Sequence, residues 1–228
     1  MKCLILIFIL ALIISCTTRP VADRQMIERG NYPTHWFQEM PKEQAFWWEI
    51  LPEKALAGEV ILSKRNELGL LSNFASTPFT YHGKKYASVE GFWQMMKFPE
   101  SKVEGRKDPR QEKQFSFTRE AVSKMVGLDA KFAGDAADKL MKELAIDWVS
   151  FEGKRMRYCQ AEPGSHYKLI REAMMAKIKQ NPKVKEVLLS TGDLILRPDH
   201  IEESCPAPEW KYYNIWMEIR QELMGTTK

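Results

Sequence analysis

Between Ser88 and Phe98 the chain carries a carboxylate, an amide and an amine at spacings that one helical face would gather. At about 100° per residue, Glu90, Gln94 and Lys97 fall within roughly 60° of one another. Trp93 borders that stripe on one side and Phe98 on the other, while Phe92, Met95 and Met96 occupy the opposite arc. A helix this apolar is expected to be buried, so its narrow polar stripe must face a partner or a cavity. A carboxylate so placed can stabilise developing positive charge or activate water, and the first turn of a helix favours its ionised form. The amine can hold an anionic or hydroxyl oxygen, or attack a carbonyl carbon if an apolar setting lowers its pKa. The alternative is an internal Glu–Lys pair with a purely structural role.

Other residues add to this set less directly. Arg220 projects into the arc shared by Tyr213, Trp216 and Met217, and a buried Arg needs an acid or a phosphate. Asp199-His200 offers a second acid/base group. Arg155 and Arg157 either face phosphates or belong to a solvated turn from Glu152 to Arg157. The sequence has no G-x-S-x-G, Walker loop, G-x-G-x-x-G or H-E-x-x-H, and His35, His82, His166 and His200 lack ligand spacing. No metal and no cofactor is therefore expected.

The elements that must position these groups read as α+β: one mostly helical domain with a few short strands. Glu59 to Leu62 reads as a strand, and Phe79 to Tyr86, broken at His82-Gly83, as a hairpin. Helices are expected over Ser88–Phe98, from a Thr118 cap to near Gly127, over about Asp135–Ala145, and over about His166–Gln180. Another starts at Asn181-Pro182 and stops at Gly192, and a last one covers Trp210–Leu223. Residues from Pro99 to about Gln114 read as a charged loop. The stretch 31–58 holds Tyr32, Trp36, Phe37, Phe46, Trp47 and Trp48 between Pro33, Pro41 and Pro52. It cannot be one helix, and its rings should wrap against the domain at 59–228.

The N-terminus points to export. Lys2, the apolar run Leu4 to Ile14 and Ile13-Ile14-Ser15-Cys16 resemble a signal peptide ending in the lipobox of bacterial lipoproteins. The run is too short to span roughly 30 Å of hydrocarbon. The resemblance implies cleavage after residue 15, lipidation of Cys16, a tether over 16–30 and attachment to an envelope membrane on its periplasmic or outer-surface side. An uncleaved short anchor or a misassigned start codon is the alternative. Cys159 and Cys205 would remain in the mature chain, either bonded to each other or as separate thiols. With Lys+Arg 34 against Asp+Glu 30 the chain carries +4, which allows phosphate contacts without the basic block of a dedicated nucleic-acid binder.

Four blocks in order carry a family resemblance: Leu71-Ser72-Asn73-Phe74; Tyr86 with Ser88-Val89-Glu90, Phe92-Trp93-Gln94 and Lys97-Phe98; Leu188 to Asp193; and Met217-Glu218-Ile219-Arg220. They resemble the NADAR family, which includes the YbiA-like N-glycosidases, over about Val60 to Leu223. Gly91 stands where many members have His, and Cys205 to Trp210 stands where the family has a glycine-rich loop. Asp199 is only a positional substitute for an acid after the Thr-Gly turn. The resemblance implies hydrolysis of the bond between ribose C1′ and a base or amine nitrogen, in a ribosylated or ADP-ribosylated substrate. In that reading Glu90, Lys97 and Asp199 are catalytic. Ser72, Asn73, Phe74, Trp93, Gln94 and Arg220 bind a nucleotide or an ADP-ribosylated base, and nucleic acid enters only as modified substrate. The other readings are a non-catalytic ADP-ribose-binding envelope lipoprotein and a structural lipoprotein that presents its aromatic segment to a partner.

Overall fold

The computed structural model describes residues 31–201 and 205–225, so the signal peptide, Cys16 and the tether lie outside the described residues. The domain is α+β, with six α-helices and four two-stranded β-pairs among these residues. The helices are α1 (Val89–Met95), α2 (Arg119–Ser123), α3 (Gly127–Glu143), α4 (Ser165–Gln180), α5 (Pro182–Ser190) and α6 (Tyr212–Gly225).

β1 (Glu59–Ile61) pairs in parallel with β8 (Ile195–Arg197), bringing the start of the domain to the segment before α6. The other pairs are antiparallel hairpins: β2 (Phe79–Tyr81) with β3 (Lys84–Tyr86), β4 (Lys102–Val103) with β5 (Arg106–Lys107), and β6 (Trp148–Phe151) with β7 (Lys154–Arg157). Each hairpin turns on a residue–glycine pair with positive φ at both positions: His82-Gly83, Glu104-Gly105 and Glu152-Gly153. That backbone matches the right-handed twist of the flanking strands.

Several expectations need correction. The hairpin signal recognised at His82-Gly83 recurs twice unrecognised, so the charged loop holds β4 and β5, and Glu152–Arg157 completes β6–β7. The helix capped by Thr118, whose hydroxyl accepts from the Ala121 amide at 3.1 Å, ends at Ser123. Gly127 then opens α3 rather than closing α2, eight residues before the expected start near Asp135. In 31–58 the wrapping is partial. Trp36 and Phe37 are buried, but Phe46 is 60% and Trp47 92% exposed.

The core sits around α1. Phe92 packs edge-to-face on Tyr86 at 4.8 Å and meets Phe79 and Phe151, which ties β2, β3 and β6 to that helix. The C-terminal carbonyls of α1 are capped by two guanidinium groups. Arg110 donates to the Met96 carbonyl at 2.8 Å, and Arg119 to those of Met95 and Phe98 at 3.1 and 2.9 Å. Cations suit a helix C-terminus; Arg110 comes from the segment that read as a charged loop and Arg119 from the first turn of α2. Among the described residues no helix is long and apolar enough to cross a membrane.

Candidate active site

The polar stripe of α1 faces α3. Ser88 caps the helix, accepting from the Gly91 amide at 2.9 Å and donating to the Met125 carbonyl at 2.8 Å. Gly91 has no room for a side chain, since a Cβ there would lie 2.5 Å from the Met125 carbonyl oxygen. The position of the family-type His is therefore filled by the backbone that follows α2. Gly134 of α3 plays the same part on the other side, its absent Cβ giving up space that the Gln94 side chain occupies.

Between these close approaches lies Glu90, 6% exposed. Its amide donates to the Asn73 carbonyl at 2.9 Å, and its Oε1 accepts from Gln94 Nε2 at 2.7 Å. Burial pushes the Glu90 carboxyl above the usual carboxylate range, against the opposing pull of the Gln94 hydrogen bond and the charges of Lys97 and Lys131. Desolvation thus outweighs the helix-end preference for the ionised form. Gln94 has its amide nitrogen on Glu90 and its oxygen against Gly134, so it positions the carboxyl rather than a ligand.

Lys97 is not the counter-ion of Glu90. Its Nζ lies 2.6 Å from Asp138 Oδ2 on α3 and 4.9 Å from the centre of the Tyr158 ring. With a carboxylate and a ring face beside it, Lys97 is placed to hold an oxygen rather than to attack a carbon. Trp93 donates to the Tyr158 hydroxyl at 3.2 Å and packs edge-on against His166 and Trp210.

The Ser72–Phe74 loop borders Glu90 and is held from below. Lys177, fully buried on α4, donates to the Ser72 carbonyl at 2.9 Å, and burial lowers its pKa to about 7. Trp216 donates to the Leu71 carbonyl at 2.6 Å. Asn73 Oδ1 and Gln94 Oε1 are both buried and make no hydrogen bond to another described residue, which leaves two acceptors beside Glu90. Asp199 reaches the loop only through Lys64. Lys64 Nζ lies 2.6 Å from both its oxygens and 5.5 Å from the Phe74 ring centre. Burial opposes its ionisation, but His200 and Lys64 hold the Asp199 carboxyl below the usual range. It is a fixed carboxylate that orients Lys64, unsuited to exchanging protons near neutrality.

Arg220 stands apart. Its Nη1 donates to Thr191 Oγ1 at 2.6 Å, and it lines an open cleft of about 600 Å³ with Gly192, Asp193 and Asn214. The cleft contains none of the α1 stripe and no buried carboxyl. Arg155 pairs with Glu104 on the surface, which accounts for it structurally.

No family model and no curated protein sequence matches the chain. Among solved structures it is similar to the NMR structure of the E. coli protein YbiA. The two share 17% sequence identity, with 73% of this chain and 86% of that chain covered and a TM-score of 0.45.

Four groups at the site escaped the sequence reading: Asp138, Tyr158, Lys177 and the buried pair of His166 with Glu209, whose Nδ1 and Oε1 lie 2.7 Å apart. His166 and Glu209 are 43 residues apart, and no periodicity links them. Asp138 had a usable signal, because it stands one helical turn beyond Gly134, itself an unusual residue inside a helix. Among the described residues no group of three or more His, Cys, Asp or Glu is placed to hold a metal ion.

Proposed function

We propose that this chain hydrolyses the N-glycosidic bond between ribose C1′ and a base or amine nitrogen of a ribosylated or ADP-ribosylated substrate. The observation that carries the reading is the buried Glu90 carboxyl, held by Gln94 beside the Asn73 loop and the paired Lys97. It stands in residue blocks that resemble the NADAR signature in order and spacing.

A carboxyl held above its usual pKa is a stronger base once ionised. Glu90 takes a proton from water as the water oxygen bonds to C1′. The C1′–N bond breaks with its electron pair going to nitrogen, which takes up the proton that Glu90 accepted from water, so that the amine leaves and the carboxylate is restored. The ionised carboxylate also opposes the positive charge that builds on the sugar. Lys97 holds a ribose or phosphate oxygen, and Asn73 Oδ1 accepts from a ribose hydroxyl. Incubating the purified protein with ADP-ribosylated guanosine and with ribosylated aminopyrimidines, after exhaustive chelation, should release the free base or amine. No release from either class would refute the reading, and activity restored by one divalent ion would overturn these roles.

Lipid anchoring through Cys16 belongs to the same proposal. The Cys159–Cys205 disulfide supports export, since such bonds persist mainly in oxidising compartments. Cys16→Ala should abolish palmitate labelling of the expressed precursor. A variant labelled like the parent would remove the anchor. The pairing of Lys97 with Asp138 and of Asp199 with Lys64 favours a second reading, a nucleotide-binding lipoprotein without turnover. Saturable ADP-ribose binding with no bond cleavage would select it.

A further inference from the structure

Of the rings in the segment 31–58, Trp36 and Phe37 are buried while Phe46 and Trp47 face solvent, 60% and 92% exposed. Phe46 stacks on the partly buried Trp48, with ring centres 5.3 Å apart and planes 7° from parallel. Ile201, 72% exposed, follows directly on His200, which pairs with Glu49 in a β-bridge, so an aliphatic side chain joins the rings at this edge. The loop that carries the rings is fixed from below. Arg65 donates to both carboxylate oxygens of Glu49 and to the Gln44 carbonyl, each at 2.6 Å, and its guanidinium lies 5.8 Å from the Phe46 ring centre. Lys64 Nζ lies 5.8 Å from the Trp48 ring centre and pairs with Asp199. The two cations beneath the rings are therefore already neutralised by carboxylates.

The start of the described chain is fastened beside this loop. His35 and Trp36 both hydrogen-bond Glu67, at 2.9 and 2.7 Å, two residues beyond Arg65. Residues 16–30 link Cys16 to that start, and a stretch of this length spans at most about 50 Å whatever its conformation. We propose that Phe46, Trp47 and Trp48, with Ile201, form a membrane-docking edge whose rings sit at the headgroup level of the bilayer that holds the lipid anchor. The edge rests on the proposed anchoring through Cys16, which keeps it within reach of one lipid surface. Large amphipathic rings favour the boundary between hydrocarbon and water. A protein partner is the poorer match, because a stable protein interface covers about 800 Å² on each side and this edge is a single loop tip. With Lys64 and Arg65 held by Asp199 and Glu49, the contact is uncharged and indifferent to headgroup charge. Lys64 Nζ also lies 5.5 Å from the Phe74 ring centre, so docking brings the Ser72–Phe74 loop of the candidate site close to the lipid surface.

The test uses the full-length protein, matured in the cells that express it and reconstituted into vesicles of phosphatidylethanolamine and phosphatidylglycerol, part of the lipid being brominated near the headgroup. Brominated lipid should quench the tryptophan emission of the parent, and Trp47→Ala should lose most of that quenching. Phe132→Ala removes a ring that is 63% exposed on α3, and should be quenched as the parent is. Exchanging phosphatidylglycerol for phosphatidylcholine should change nothing. An unquenched parent, quenching that survives Trp47→Ala or falls equally with Phe132→Ala, or quenching that requires phosphatidylglycerol would overturn the docking edge. A palmitate-labelled protein that is not quenched refutes the edge alone. One that is quenched through Trp47 yet carries no palmitate refutes the Cys16 anchor alone.

Discussion

At Glu90 the requirements of folding and of chemistry pull in opposite directions. Burial favours the neutral acid, yet the proposed reaction needs the carboxylate. With its pKa raised in the folded state, Glu90 keeps its proton to higher pH there than in the unfolded chain. Its contribution to stability is therefore fullest below the unfolded value of about 4.3 and is lost as pH rises towards the folded value. Glu90→Gln retains the shape and removes the ionisation. Because Asp138 is the partner of Lys97, the substitution leaves no cation unpaired. The expected result is a melting temperature at pH 7–8 equal to or above that of the parent. A large fall, read by scanning calorimetry, would mean that Glu90 neutralises a buried cation after all. Lys177 has the opposite sign. Its pKa falls to about 7 on burial, so between there and about 10.4 the unfolded chain holds the extra proton and stability rises with pH. Lys177→Met should flatten the pH dependence of the melting temperature over that range, and an unchanged slope would contradict the assignment. Glu90, Gln94 and Lys97 were legible as a unit because helical geometry links residues three and four apart. Asn73 entered only through the family resemblance, and Asp138, the partner of Lys97, was not legible because it comes from elsewhere in the chain.

At the scale of elements, α1 is a short helix gripped on every side. Its N-terminal half meets the backbone after α2 through Gly91, its stripe meets α3 through Gly134, and Arg110 and Arg119 cap its end. Gly91→Ala places a methyl group 2.5 Å from the Met125 carbonyl oxygen and 2.9 Å from that of Val122. Both obstacles are backbone, so α1 and α2 must part, at a cost of about 1–3 kcal/mol. Urea unfolding should show that loss, and a neutral Gly91→Ala would mean the two elements sit further apart than described. The sequence read Gly91 as a departure from a family pattern, because a single chain does not reveal what faces a glycine. The α1 register, the β2–β3 hairpin and α4 were legible from periodicity and turn chemistry. The α2–α3 boundary was misread because Gly127 looks like a helix stop, although its positive φ places it at the entry to the next helix.

Over the whole molecule, the parallel β1–β8 pair and the Cys159–Cys205 bond close the chain around α1. The disulfide spans 46 residues, a loop whose closure stabilises the folded state by about 4 kcal/mol in the chain-entropy estimate. Reduction should lower the melting temperature accordingly, and a reduced protein as stable as the oxidised one would show that the bond contributes little to the fold. Sequence left that pairing open, as two cysteines 46 positions apart bear no local sign of each other. It also overestimated the wrapping of 31–58, since ring count says nothing of which rings find a surface. The central claim is that Glu90 performs the chemistry of an N-glycosidase. The most direct measurement is single-turnover release of base from the best ribosylated or ADP-ribosylated substrate, comparing the parent with Glu90→Gln at matched ligand occupancy. The account predicts that the variant, folded and binding as before, is slower by about 10²–10³-fold. A folded Glu90→Gln that releases base at the parental rate would contradict it.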